Sequence, residues 1–344
     1  MSRPPWRLPR PPSLLAGADT YLLLSMLVAM IAIFGRLNGA WFTTATMVTA
    51  IEQNAPLAVI SVAMTFSIIA GIIDLSPGAM IALTGVIIGL VNQHSHDMVL
   101  AVASGLGLAV GVSAIHGLLV VALDINPVIV TLAAYIWARG LATGLTGTGS
   151  ITVDGPLISF INNTSLFGLG APAYIVALAY GGGWYLLNRT VLGRYTFALG
   201  GDPRGARRAG IRVTRQIIFI FCLMGVAVAV AALIAVGQMA SAQPLAASGL
   251  ELDAIIAVII GGTRLTGGEG SLIKTLVGVA FIAILNSGLS EQGLSDAYYA
   301  LCKGIAILLA LSVQTLARRA ADRQAARGRN LRPEWASERM ARVE

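Results

Sequence analysis

Charged residues are scarce in this sequence. Of its 344 residues, 11% are charged and 56% are apolar, and the net charge at pH 7 is +7. The mean hydropathy is +0.79. A soluble globular chain carries about 25% charged residues and could not bury this much apolar surface. The composition therefore argues against a soluble domain and predicts a protein whose apolar faces contact lipid.

Several features of soluble enzymes are rare or absent. The two cysteines, Cys222 and Cys302, lie in apolar runs, so we expect small core residues without a disulfide. The sequence has no Gly-x-x-x-x-Gly-Lys-[Ser/Thr] phosphate loop, so ATP hydrolysis would need another chain. No nucleophile–base pair stands out, and we predict neither catalytic residues nor a cofactor. His94 and His96 share a loop without further ligands, which does not favour a metal site.

Long apolar runs fill most of the chain and predict an all-α, polytopic transmembrane bundle of about ten helices, with a permease domain over 20–317. The candidate spans are 20–35, 47–72, 78–92, 98–123, 127–146, 172–188, 215–237, 254–262, 271–290 and 297–317. The run 254–262 is too short to cross alone, so it either begins earlier, through Glu251 and Asp253, or is re-entrant. The first run lacks a cleavage pattern and predicts an uncleaved helix rather than a signal peptide.

Basic residues are clustered beside the apolar runs. These clusters are the N-terminal tail 1–19, the loop 189–215 and the C-terminal tail 318–344. The loop holds seven arginines against Asp202 alone, whereas no Lys or Arg occurs between Arg139 and Arg189. The positive-inside rule therefore places the loop and both termini in the cytoplasm and the polar stretch 147–171 outside. Because the basic residues flank spans, we do not predict nucleic-acid binding.

The basic loop contains the signature of a short helix. Asp202 is suited to the N-cap, Pro203 to the first helical position and Gly210 to the left-handed C-terminal stop. The basic side chains of this helix are Arg204, Arg207 and Arg208. A solvated loop that only fixes topology would explain the charges. The closely specified caps favour instead a docking helix for a cytosolic partner.

Two Gly-rich segments form a weak internal repeat. Residues 71–78 and 261–268 share Gly-x-x-x-Leu-[Ser/Thr]-x-Gly at an offset of 190. Each follows one apolar run and precedes another, the arrangement of broken helices in transporters built from duplicated halves. The residues predicted to shape these breaks are Gly71, Asp74, Ser76, Gly78, Gly261, Gly262, Thr266 and Gly268.

Polar residues inside or beside the spans are candidates for a substrate pathway, because a charge at mid-bilayer costs about 2.5–3.5 kcal/mol. The candidates are Glu52, Gln53, Asn54, Gln243, Glu251 and Asp253. Each could instead mark an interface or meet a partner protein. For Arg139 and Lys303 we expect an ion pair or a carbonyl contact, since a neutral solute needs no fixed cation. We expect His116 to be a hydrogen-bonded histidine of the bundle.

Several runs of the sequence, taken in order, match one family. They are Gly71-Ile-Ile-Asp-Leu-Ser-Pro-Gly78, Pro127-Val-Ile-Val-Thr-Leu132, Leu192-Gly-Arg-Tyr-Thr-Phe-Ala-Leu-Gly-Gly201, Ser241-Ala-Gln-Pro244 and Glu251-Leu-Asp-Ala-Ile-Ile-Ala-Val-Ile-Ile-Gly-Gly-Thr263. From about 45 to 317 the chain resembles the ribose-type permeases of bacterial ABC sugar importers. It departs from the family pattern at Ile72 and Pro77, which leaves the sugar open.

The resemblance implies a pore subunit for a monosaccharide or related polyol in the bacterial inner membrane. It implies three partners: a cytosolic ABC ATPase that docks on 201–210, a periplasmic or lipid-anchored sugar-binding protein, and a second permease subunit, identical or related. An ion-coupled secondary transporter is a weaker alternative because intramembrane carboxylates are few. A permease for branched-chain amino acids is the nearer one, and a membrane-embedded enzyme is remote.

Overall fold

The computed structural model describes residues 18–37, 43–295 and 297–312, so the predictions for the two arginine-rich tails lie almost wholly outside the described residues. The described part folds into fourteen helices and four two-residue strands, which confirms the all-α class. The helices are α1 (Ala18–Leu37), α2 (Thr44–Gln53), α3 (Ala55–Ile69), α4 (Pro77–Ser95), α5 (Met98–Ala122), α6 (Pro127–Thr146), α7 (Pro156–Asn163), α8 (Ala171–Arg189), α9 (Val191–Gly201), α10 (Pro203–Arg208), α11 (Val213–Met239), α12 (Leu250–Ile260), α13 (Leu272–Ser290) and α14 (Ala297–Ser312).

The four strands form two antiparallel pairs. They are β1 (Ile151–Thr152), β2 (Ser165–Leu166), β3 (Leu169–Gly170) and β4 (Ser241–Ala242). β1 pairs with β4, with Ile151 opposite Ala242, and β2 pairs with β3. The first pair ties the segment after α6 to the end of α11.

Helix α3 is the centre of the bundle. All of its residues from Ala55 to Ile69 are buried, and it contacts α8, α11, α12 and α13. Its sequence is apolar on every side, as expected for a helix surrounded by other helices. Small residues allow close packing around it, since a Cβ on Gly183 of α8 would lie 2.5 Å from Val62.

Within the described residues, five helices are long and apolar enough to cross a membrane. They are α4, α5, α6, α11 and α13, and the bent pair of α2 and α3 makes a sixth when counted as one span. Helices α5 and α6 are apolar yet mostly unburied, which fits contact with lipid. Capping residues mark the start of both helices. Asp97 accepts hydrogen bonds from the first turn of α5, and Asn126 caps α6 ahead of Pro127. The total of about ten spanning or re-entrant elements stays a prediction.

The structure changes or refines three predicted elements. The run 47–72 is not one helix, because α2 and α3 meet at Asn54 with a bend of 51°. Pro56, at the start of α3, provides the physical reason, since proline lacks the N–H needed for a continuous helix. The run 254–262 begins earlier, at Leu250, and includes both acidic residues. Its 11 residues span about 16 Å, roughly half of a bilayer core. The loop 189–215 holds two helices, α9 and α10, rather than one.

The two repeat segments begin with the same kind of helix stop, in a register shifted by one residue. After α3, the Gly71 N–H donates to Ile68 and the Ile72 N–H donates to Ser67. After α12, Gly262 and Thr263 make the same two bonds, to Ile259 and Val258. Gly71 and Gly262 adopt φ values of +78° and +91°, the left-handed conformation of a helix stop. The equivalent glycines are therefore 191 residues apart, and the offset of 190 is wrong by one.

Candidate functional site

Helices α9 and α10 form a compact hairpin at one end of the bundle. The Asp202 side chain accepts a hydrogen bond from the Arg204 N–H at 3.0 Å, and Pro203 is the first residue of α10. Gly210 follows α10 with φ of +80°. The predicted cap residues thus occupy the positions expected of them, although α10 has only six residues.

Helix α10 packs on the bundle through one small side chain, that of Ala206. Ala206 is 5% exposed and belongs to a small apolar cluster that also contains Leu199 of α9 and residues from the nearby ends of α5, α6 and α11. Arg204, Arg207 and Arg208 are all exposed. Because the apolar side of α10 is fixed and the basic side is open, the hairpin presents a rigid cationic surface.

Backbone contacts join α9 to both broken helices, at a place we call the glycine junction (Ile69, Gly200, Gly267 and Gly268). The Gly268 N–H donates to the Ile69 carbonyl at 2.8 Å. A Cβ on Gly200 would overlap that carbonyl oxygen and lie 2.6 Å from the Gly268 nitrogen. A Cβ on Gly267 would lie 3.0 Å from the backbone of Gly200. Because these contacts are between backbone atoms, a displacement of α9 would be passed directly to the end of α3 and to the loop after α12.

The segment between α3 and α4 crosses the bundle in an extended form. The Leu75 N–H donates to Thr131 Oγ1 of α6 at 3.1 Å. Asp74 Oδ1 accepts two bonds from Ser76, at 2.9 Å from its N–H and 2.7 Å from its hydroxyl. Pro77 begins α4, and the Ser76 hydroxyl donates to Asp74 instead of capping the helix.

A second buried acid faces the start of α4. Glu251 is 5% exposed and packs on Gly78, where a Cβ would overlap its Oε2. Arg139 Nη1 donates to the carbonyl oxygens of Pro244 and Ala246 at 2.8 and 2.9 Å, which confirms the expected carbonyl contact. Its charge also attracts the Glu251 carboxylate. The segment before α12 is therefore held against α4 and α6.

Farther along α3, at the end opposite the glycine junction, side chains form a polar network. Its members are Asn54, Asp253, Asn286, Ser287, Tyr299 and Lys303. Lys303 Nζ lies 2.7 Å from Asp253 Oδ2, which confirms the expected ion pair. Asn286 Nδ2 donates to both Asp253 and Asn54 at 3.3 Å. The network connects α3, α12, α13 and α14.

A cavity of about 120 Å³ opens beside this network. It lies between α2 and the end of α13, and we call it the mouth cavity. Its lining residues are Thr46, Thr49, Ala50, Gln53, Ser287, Ser290 and Glu291. Ser287 belongs to both features, since its hydroxyl accepts a bond from Asn54 Nδ2 at 3.3 Å.

The structure brings together three of the six predicted pathway residues. Gln53 lines the mouth cavity, and Asn54 and Asp253 belong to the polar network. Glu52 instead accepts a hydrogen bond from the Gly170 N–H, the N-cap of α8. Gln243 lines a separate cleft of about 10 Å³ between α4 and α11, which holds at most about one water.

Two expectations about single side chains are wrong. His116 is 4% exposed, but its Nδ1 has no hydrogen-bond partner among the described residues, and its ring contacts Phe221 edge-on. Cys302 is exposed on α14 rather than part of the core. Among the described residues, no three His, Cys, Asp or Glu side chains lie close enough to hold a metal ion.

Sequence reasoning missed several residues of the polar network and of the glycine junction. Asn286 is an amide inside an apolar run, and the cost of polar groups in lipid could have drawn attention to it. Ser287 and Tyr299 carry no such signal. Gly200 is one of many glycines in apolar runs, and its close approach to Ile69 depends on how α9 folds back onto α3.

Comparison with known proteins supports a transport role. Residues 46–311 match the family described as "Branched-chain amino acid transport system / permease component". The ribose import permease protein of Escherichia coli (strain K12) is 35% identical, covering 84% of this chain and 92% of the relative. The fructose import permease protein of Rhizobium meliloti is 31% identical over 87% of this chain and 86% of its own length. The D-allose transport system permease protein of Escherichia coli (strain K12) is 33% identical over 87% and 92%.

No solved structure gives a significant match to this chain. The apolar helices, the broken helices and the buried polar network together define a multi-pass membrane transport permease. The chain belongs to the permease family that its residues 46–311 match.

Proposed function

We propose that the chain is the pore subunit of an ATP-driven importer for a monosaccharide or a related polyol in the bacterial inner membrane. Near-full-length similarity to permeases named for ribose, fructose and D-allose carries the proposal. The family description names branched-chain amino acids, so those solutes are the competing substrate class. The substrate is therefore a matter for direct measurement.

The glycine junction suggests how energy would reach the passage. A cytosolic ABC ATPase docks on the exposed arginines of α10, and its movement shifts the α9–α10 hairpin. Because α9 contacts Ile69 and Gly268 through backbone atoms, the ends of α3 and α12 move with it. The two halves of a dimeric pore, made with an identical or related subunit, then open alternately to each side.

In this arrangement the α9–α10 end faces the cytoplasm and the mouth cavity faces outward. The loop 189–215 carries the arginine cluster that the positive-inside rule places inside, and both termini follow it. A periplasmic or lipid-anchored sugar-binding protein delivers the solute to the outer end. Lipid surrounds α5 and α6, whose apolar side chains are largely unburied.

The test reverses charge on α10 in the reconstituted complex of permease, ATPase and binding protein. The double variant Arg207→Glu/Arg208→Glu is expected to lose ATPase association and ATP-dependent sugar uptake. The matched control is Arg194→Glu/Arg215→Glu, which changes the same number of exposed charges on α9 and α11. Intact association and uptake in the α10 variant would refute the docking assignment. Uptake of leucine but no sugar would refute the substrate class.

A further inference from the structure

The mouth cavity is lined mainly by polar side chains. Among the described residues that line it are four hydroxyl side chains, one amide and one carboxylate, and Ala50 is the one apolar member of this set. Hydroxyl and amide groups both donate and accept hydrogen bonds. A water molecule needs at least about 10–15 Å³ of such space, so a volume of about 120 Å³ admits several waters or the hydroxyls of one small solute.

The charge of the lining restricts the class of solute. No Lys or Arg is among the described residues that line the cavity, and this lining includes the Glu291 carboxylate. An anionic solute, or the carboxylate end of an amino acid, would find no cationic partner among these residues. Ala50 is the only apolar contact that they offer to a branched aliphatic side chain. A neutral compound with several hydroxyl groups fits both the donors and the acceptors.

The polar network continues from the cavity into the bundle. Ser287 is 7% exposed, lines the cavity and accepts a hydrogen bond from Asn54. Asn54 in turn accepts from Asn286, and Asn286 donates to Asp253. The Asp253 carboxylate is paired with Lys303, so it presents no uncompensated charge to a neutral solute. Polar groups packed between apolar helices are costly, and a chain of them beginning at an open cavity indicates a path for a hydrated or hydroxylated solute.

We propose that the mouth cavity is a binding site for a neutral polyhydroxylated solute, a monosaccharide, at the outer end of the passage. Gln53 and Ser290 contact the solute from two sides of the cavity, on α2 and on α13. The inference rests on the proposed function, because it assigns to these residues the solute that the importer carries. It adds a site within the permease itself, separate from any site on a delivering protein.

The test measures protection of single cysteines in the full-length chain. Gln53→Cys and Ser290→Cys are each made in a background with Cys222→Ser and Cys302→Ser. Maleimide labelling is followed with D-ribose, D-fructose, D-allose or leucine present. A sugar at about twice its Kd is expected to slow labelling about threefold at both positions. Asn162→Cys, on exposed α7 outside the cavity, is the matched control and is expected to label at one rate throughout.

Labelling at Gln53→Cys and Ser290→Cys that no sugar slows would overturn the site, as would equal slowing of the Asn162→Cys control. Protection by leucine alone would also overturn it. ATP-dependent sugar uptake by the unmodified complex is measured in parallel. Sugar uptake without protection of the cysteines would refute the proposed site but not the proposed function. Absence of uptake for every sugar would refute the proposed function. Since Gln53 and Ser290 are exposed, neither substitution disturbs the core.

Discussion

The two ends of α3 are held by different kinds of interaction. At the α9–α10 end, the contacts of the glycine junction are between backbones, and no charged side chain takes part. At the opposite end, Asn54 begins a network of amides, hydroxyls and one ion pair. Backbone contacts have no rotamers and transmit displacement directly. Side-chain hydrogen bonds can exchange partners, which suits a surface along which a polar solute passes.

The largest predicted effect concerns the ion pair of the polar network. Lys303→Met leaves the Asp253 carboxylate without its cation. The two side chains are 20% and 12% exposed, so we expect a cost of about 3 kcal/mol, the lower end of the range for breaking a buried pair. We expect a clear fall in the thermal unfolding midpoint of the purified permease. The double variant Asp253→Asn/Lys303→Met removes both charges and is expected to recover most of the loss. A single variant as stable as the parent would show that the network is solvated rather than buried.

The second prediction tests whether the glycine junction can be disturbed without affecting solute binding at the opposite end of α3. Gly200→Ala places a Cβ against the Ile69 carbonyl, and overpacking of this kind costs about 1–3 kcal/mol. We expect ATP-dependent uptake to fall while the solute-protected labelling at Gln53→Cys persists. Gly201→Ala is the matched control, because a Cβ there meets no atom within 4 Å. Equal uptake by the two variants would mean that the close approach of Gly200 to Ile69 is not required for ATP-dependent transport.

A smaller effect is expected at the cap of α10. Asp202→Ala removes the acceptor for the Arg204 N–H, and loss of such a cap costs about 1 kcal/mol. The fold is expected to survive, while ATPase affinity, measured by surface binding, weakens about fivefold. Asp202→Asn keeps a capping side chain and is expected to restore most of the affinity. If the asparagine variant binds as weakly as the alanine variant, the carboxylate acts through charge and not through the cap.

The smallest effect is expected at the exposed pair of Arg264 and Glu269, in the loop after α12. Their separation is 3.0 Å, similar to that of the buried pair, but the side chains are 61% and 63% exposed. Exposed pairs contribute about 0–1 kcal/mol. Arg264→Ala should therefore change the thermal midpoint far less than Lys303→Met does. A comparable loss in the two variants would mean that burial does not decide how much an ion pair contributes to the stability of this protein.

Local sequence signals were sufficient for much of the fold. Asp97, Asn126 and Pro127 begin α5 and α6 where the apolar runs predicted helices, because caps act through their own neighbours. Asp202 and Gly210 likewise bound α10. The early start of α12 was one of two alternatives that the sequence left open. The bend at Asn54 was missed, although Pro56 follows it closely and proline interrupts a helix.

Composition and local patterns are enough to predict a lipid-solvated bundle, the starts of α5 and α6, and a basic capped helix between α8 and α11. These properties depend on composition and on residues within one turn of each other. The tertiary structure was needed to show that Gly200 contacts Ile69, that Lys303 pairs with Asp253 and that Gln53 and Ser290 line one cavity. Those contacts join residues far apart in the chain, and their positions follow from the packing of whole helices around α3.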